Sequence, residues 1–154
     1  MGSYSKSIHS PLRVAEQDEK PLKLSLTKIL RVSAFTEKAP APIGPYTQAV
    51  KAGNTLYVSG QIPVNPATGE VVKGIEAATE QVMENLKAIL TEAGATFENV
   101  VKTTIFLADM GQFAQVNGVY ACYFNEATAP ARETVQVAQL PKAVEVEISC
   151  IAVL

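Results

Sequence analysis

The chain has 154 residues, 47% of them hydrophobic and 18% charged, with a formal net charge of -2 and a single histidine. That length suits one domain burying roughly two-thirds of its unfolded surface, so its core needs no disulfide or metal staple. Thirteen Lys and Arg against fifteen Asp and Glu leave no basic excess to condense on phosphates, which argues against nucleic-acid binding. No apolar run reaches the roughly 20 residues that span a bilayer. Cys122 and Cys150 are the only cysteines and lack CxxC spacing, so they read as small core hydrophobes rather than a disulfide framework.

Charge divides the chain. Residues 1–38 carry a net of +3 and residues 39–154 a net of -5. The first stretch mixes Ser, Lys and Pro around one apolar cluster, Leu22, Leu24, Leu26, Ile29 and Leu30. It reads as an extension, disordered or a targeting segment, although Glu16, Asp18 and Glu19 are foreign to acid-poor transit peptides. The expected compartment is the cytoplasm, or a mitochondrion or plastid if residues 1–38 are a transit peptide. The folded domain is expected over 39–154.

Leu56–Ser59 reads as a strand and Asn65–Glu70 as a turn punctuated by Pro66 and Gly69. Ile75, Val82, Leu86, Ile89 and Ala93 fall at helical spacing, and Gly94 stops that helix. Val100–Leu107 is a β-branched, apolar strand. Phe113, Val116, Tyr120 and Phe124 define a second helix. Thr134–Leu140 and Val144–Val153 read as two strands of a hairpin that turns at Pro141-Lys142. The order strand-strand-helix-strand-helix-strand-strand packs as an α+β domain, a mixed sheet with two helices on one face. The other face would be left apolar, and from this an oligomer is expected.

The chain has no GxGxxG, P-loop, HExxH or GxSxG, and its one histidine, His9, lies in the N-terminal extension. Chemistry must therefore use carboxylate, guanidinium, hydroxyl, phenol or backbone groups. By period-2 alternation Glu147 sits where the outer face of the last strand turns from polar to apolar. Burial there would raise its pKa toward that of a proton carrier near neutral pH. The hairpin would set Thr134 opposite Glu147 and Arg132 opposite Ser149, so that Arg132 and Glu147 share one pocket wall. Arg132 supplies a planar fork for a carboxylate, although a structural ion pair fits the same residues. Tyr46 follows a Gly44-Pro45 bend, and Ser59-Gly60 ends a strand where a ligand can approach the backbone. Asn117 lies beside the apolar stripe of the second helix, where a local hydrogen bond is its simplest role.

With these residues in view, the chain resembles the Rid family (RidA/YjgF/YER057c/UK114) of enamine/imine deaminases. APIGPYTQAV at 41–50, LYVSGQIPVNPATGEV at 56–71, KTTIFLADMGQFAQVNGVYACYF at 102–124 and PARETVQVAQLPKAVEVEISCIAV at 130–153 carry the resemblance. It implies a chorismate-mutase-like fold, a homotrimer with sites between subunits, and no metal or organic cofactor. It also implies hydrolysis of 2-aminoacrylate, 2-iminopropanoate and 2-iminobutanoate, made by pyridoxal-phosphate enzymes, to 2-keto acids and ammonia. Arg132 matches the arginine that holds the substrate carboxylate, and Glu147 the carboxylate that positions water. Tyr46, Ser59, Gly60 and Asn117 match pocket residues, and Thr134 takes a substrate-facing position where many members have Cys. Glu133 and Ala129 also depart from the common pattern, which bears on substrate preference. Two other classes stay open at this point: a ligand-binding or chaperone-like module without turnover, and an endoribonuclease or translation inhibitor.

Overall fold

A computed structural model describes residues 30–154. His9 and the Leu22–Ile29 part of the N-terminal cluster lie outside the described residues. Eight principal elements follow in order: β1 (Arg31–Ala34), β2 (Ala49–Ala52), β3 (Thr55–Gln61), α1 (Ile75–Glu92), β4 (Val100–Leu107), α2 (Phe113–Tyr120), β5 (Ala131–Gln136) and β6 (Val146–Val153). The strands form one six-stranded sheet in the order β1-β2-β3-β6-β4-β5, antiparallel except for the β4–β5 pair. This is a mixed α+β domain. The sheet begins at Arg31, upstream of Ala39, because β1 adds a short edge strand against β2.

The first helix forms where its stripe predicts. Ile75, Val82, Leu86, Ile89 and Leu90 are buried against the sheet, and Gly94 at φ 77° ends the helix in the left-handed region. Asn85 is the one amide on that buried face. Its Nδ2 donates to the carbonyls of Ile62 (3.2 Å) and Val64 (3.0 Å), tying the helix to the loop after β3. α2 packs on α1 and on the same side of the sheet, since its Tyr120 hydroxyl meets Thr103 of β4. The helix ends at Tyr120 and continues as a single tight turn, so Phe124 lies beyond it, packed edge-on against Phe97.

The predicted 134–153 hairpin is overturned. β6 enters the middle of the sheet between β3 and β4, and β5 runs parallel to β4 at the edge. The cause is distribution of apolar residues. In β4, Val100, Ile105 and Leu107 are buried and Phe106 half-buried, a strand fit for the interior, whereas β5 exposes Arg132, Glu133 and Gln136. Cys150 is a core residue as expected, but Cys122 is exposed, with its thiol directed at the Gly118 carbonyl. The face away from the helices carries Tyr57, Phe106, Val135, Ile151 and Val153, with Tyr57 51% and Val135 40% exposed.

Candidate active site

Two groups of polar side chains lie on opposite sides of the sheet. The first stands at the β5 edge on the helix side. Arg132 is level with Thr103 in the parallel β4–β5 register, and its side chain turns toward α2. Nη1 donates to Asn117 Oδ1 at 2.7 Å. The guanidinium carbon sits 5.0 Å from the ring centroid of Tyr120 and 5.6 Å from that of Phe113. The Tyr120 hydroxyl is itself held by Thr103 at 2.7 Å. Two aromatic faces and an amide thus fix the fork, and Arg132 makes no ion pair among the described residues. Thr134, two residues along the same face, has the one buried side-chain oxygen without a hydrogen-bond partner among the described residues. Arg132, Asn117 and Tyr120 border an open cleft of about 700 Å³.

The second group gathers where β3 meets β6. The ladder breaks register between Val58 and Gln61, which lifts Ser59 and Gly60 out of regular pairing. Gly60 has an ordinary φ and is glycine for want of space: a Cβ there would collide with the Glu147 carboxylate, with its Cδ at 2.9 Å and its Cγ at 3.0 Å. Glu147 is half-buried, and desolvation raises its carboxyl pKa above the ordinary range. Ser59 Oγ donates to the Thr47 carbonyl at 2.6 Å and keeps its lone pairs free. Tyr46 accepts from the Ile43 N–H at 3.2 Å, so its phenolic proton is available. The loop bearing Tyr46 is anchored by buried Gln48, which bonds the backbone of Thr36, Ala39 and Pro40. A cavity of about 290 Å³ is lined by Tyr46, Gly60, Ile62 and Lys142 among others.

All seven expected residues therefore belong to one group or the other, but the shared wall for Arg132 and Glu147 is corrected. With β4 inserted between their strands, Glu147 is level with Phe106 on the open face, while Arg132 is level with Thr103 on the helix face. Two strand spacings separate them by roughly 10 Å across the sheet, and three residues by roughly another 10 Å along it. Glu133 is explained locally: Lys102 Nζ lies 2.5 Å from its carboxylate and Thr104 donates at 3.0 Å, so hydrogen bonding from Lys102 holds its pKa below the usual range. Sequence patterning missed the second role of Phe113 and Tyr120. Their helical spacing marks them as core, and only the parallel register of β5 brings Arg132 over their rings. It also missed Lys142, which reaches the cavity through left-handed backbone at φ 56°, followed by Ala143 at φ 52°.

An α+β domain with a sheet flanked by two helices on one side and one polar group on each face of the sheet is the class these features define. A family model described as Endoribonuclease L-PSP matches residues 36–154. The chain is 57% identical over 119 residues to a RutC family protein of Pyrococcus horikoshii, covering 77% of this chain and 94% of that one. It is 52% identical over 120 residues to the 2-iminobutanoate/2-iminopropanoate deaminase of Escherichia coli K12, covering 77% and 94%. Among solved structures, RidA from the Antarctic bacterium Psychrobacter sp. PAMC 21119 aligns with a TM-score of 0.78 at 46% identity, covering 80% of this chain and 99% of that one. E. coli TdcF with bound serine aligns with a TM-score of 0.76 at 43% identity, covering 80% and 98%. The chain belongs to the Rid (YjgF/RidA) family.

Proposed function

We propose that this protein hydrolyses 2-imino acids and their enamine tautomers to 2-keto acids and ammonia, at sites built between the subunits of a homotrimer. The observation that carries the reading is the pair of complementary, separated groups: among the described residues, an arginine fork without a carboxylate and a half-buried carboxylate without a cation. A substrate of three or four carbons cannot touch both on one chain, so Arg132 of one copy must face Glu147 of another. The apolar open face supports such an assembly.

In this reading Arg132 and Asn117 take the substrate carboxylate, and the unpartnered Thr134 hydroxyl adds a donor beside it. The imine carbon is already electrophilic. Glu147 removes a proton from a water molecule as its oxygen bonds to that carbon, giving a carbinolamine. The same carboxyl delivers that proton to the nitrogen as the C=N π bond opens; it then takes the carbinolamine's hydroxyl proton as the keto C=O forms and passes it to the nitrogen as the C–N bond breaks, so that ammonia leaves the keto acid. A pKa raised by burial suits a group that must both take and give the proton. Tyr46 and Ser59 orient the water and the leaving nitrogen.

The test couples the protein to a pyridoxal-phosphate threonine dehydratase and follows keto-acid release. Wild type should accelerate it, and Arg132→Ala and Glu147→Gln should not. An equimolar mixture of the two variants, dissociated and reassembled, should recover about a quarter of wild-type activity, since random assembly pairs an intact Arg132 with an intact Glu147 at about one site in four. No recovery from a mixed trimer would place both residues in one chain's site. No acceleration by folded wild type would leave a ligand-binding module.

A further inference from the structure

We infer that Phe106 is a positioning residue for Glu147: its ring closes the β4 flank of that side chain while Gly60 opens the β3 flank, so that the carboxylate is held to one side by shape alone. The inference rests on the deaminase reading for its effect on turnover and on the strand geometry for the placement itself.

A glutamate side chain turns freely about several bonds, and one that handles a proton at a fixed point must be held there. Among the described residues Glu147 has no ion pair and no side-chain hydrogen bond, and burial is the influence on its titration. What remains to place it is steric. β6 lies between β3 and β4. On the β3 side the carboxylate rests over Gly60, in the space a Cβ would fill. On the β4 side Phe106 is directly opposite Glu147 in the antiparallel ladder and on the same face, where Cβ atoms stand about 4.5–5.5 Å apart. A half-buried phenyl group there bars the carboxylate from leaning toward β4 and offers no donor to draw it that way. Val135 stands level with Phe106 on β5, one strand farther from Glu147. Charges near this row are otherwise engaged. Glu145, two residues back, accepts from the Gly74 N–H at 3.2 Å and the Gln112 amide at 3.3 Å. Glu133 and Lys102 answer each other across β4 and β5. Lys142 and Tyr46 line the cavity that Gly60 borders, and in the proposed assembly an Arg132 from another copy comes toward Glu147.

Carbon-13 labelling of glutamate side-chain carboxyls gives a readout that needs no turnover, the Glu147 resonance being the one missing from Glu147→Gln. Phe106→Ala opens the β4 flank to water, so Glu147 should titrate at a lower pH than in wild type. Phe106→Leu keeps an apolar wall and should hold the titration near the wild-type position. Val135→Ala removes apolar bulk from the same open face without adjoining Glu147 and should leave it unmoved. In the coupled dehydratase assay Phe106→Ala should lower kcat about ten-fold with little change in KM, and Phe106→Leu should recover most of the loss. Gly60→Ala combined with Phe106→Ala should be no slower than Gly60→Ala alone, because the carboxylate has already left its place. An unmoved Glu147 titration in assembled Phe106→Ala, an equal shift in Val135→Ala, or losses from Gly60→Ala and Phe106→Ala that multiply would overturn the assignment. Where Phe106→Ala does not assemble, Phe106→Val suits a strand and carries the same comparison with a smaller shift. The expected titrations in a wild-type protein that hydrolyses no imine would uphold the positioning of Glu147 and remove the deaminase reading.

Discussion

Gly60→Ala separates the position of the Glu147 carboxylate from the stability of the fold. Gly60 does not occupy the left-handed region, so alanine costs nothing in backbone strain. The perturbation is steric alone: the new Cβ meets the Glu147 carboxylate, with Cδ at 2.9 Å and Cγ at 3.0 Å against an ordinary contact near 3.5–4.0 Å. The nearest atom, Oε1, would overlap the new Cβ outright, so the carboxylate must move by more than about 1 Å, and because Glu147 is only half-buried its side chain can swing toward solvent. The stability loss should stay near 1 kcal/mol, at the low end for overpacking. Catalysis is less forgiving, since a displacement of about 1 Å at a reacting group costs on the order of 100-fold. Urea unfolding of the purified variant and the coupled dehydratase assay read the two effects separately. A folded Gly60→Ala protein with wild-type turnover would refute the placement of Glu147 as the group that handles the proton.

Three further outcomes follow from the same geometry. Burial raises the Glu147 pKa, so the native state binds this proton more tightly than the unfolded chain; stability falls as pH rises from the ordinary value of 4.5 through the raised one, and the penalty persists above it. Glu147→Gln should therefore be the more stable protein at neutral pH, by less than about 1 kcal/mol once solvent access is discounted, and should lose that advantage near pH 4 in urea titrations. Tyr120→Leu removes the ring beneath the guanidinium, worth about 1 kcal/mol, and should weaken binding of the keto-acid product about five-fold in the Arg132 protein but not change the residual binding in an Arg132→Ala background, both read by calorimetry; equal effects in both would mean Tyr120 serves only the core. Ala143→Gly relieves a left-handed alanine at φ 52° and should raise the urea midpoint by about 0.5–1 kcal/mol of stability, whereas destabilisation would show that the backbone there is held without strain.

Local pattern revealed the elements whose burial is one-sided or complete. β4 was legible from its β-branched run, and α1 from its stripe and its terminal Gly94. Arg-Val-Ser-Ala in β1 carries no such signal, being four residues of largely exposed edge strand whose only reason to be extended is the partner β2. The β5–β6 hairpin failed for a long-range reason. Neighbouring strands pair in most folds, and nothing local says that β4 will slip between them. The site suffered in the same way. Arg132, Glu147, Asn117 and Tyr46 stand out as chemistry-bearing side chains at strand ends and turns, but their grouping depends on parallel pairing of β4 with β5 and on the broken register at Ser59-Gly60. Lys142 was invisible because a lysine gives no warning of positive φ.

Insertion of β4 also decides what kind of site the chain can make. In the hairpin expected from sequence, Arg132 and Glu147 would have met, and each would have satisfied the other. The arginine would have drawn the carboxyl pKa down and left a poor proton carrier, while the carboxylate would have occupied the fork that a substrate needs. One strand between them, and opposite faces of the sheet, remove that short circuit. Arg132 is oriented by groups that cannot neutralise it, two rings and an amide, and Glu147 by the missing side chain of Gly60 and by burial. Each chain thus carries two halves that cannot quench one another. In the proposed reaction it is an assembly of copies, with a small carboxylate-bearing molecule between the halves, that brings the two charges to bear on one carbon.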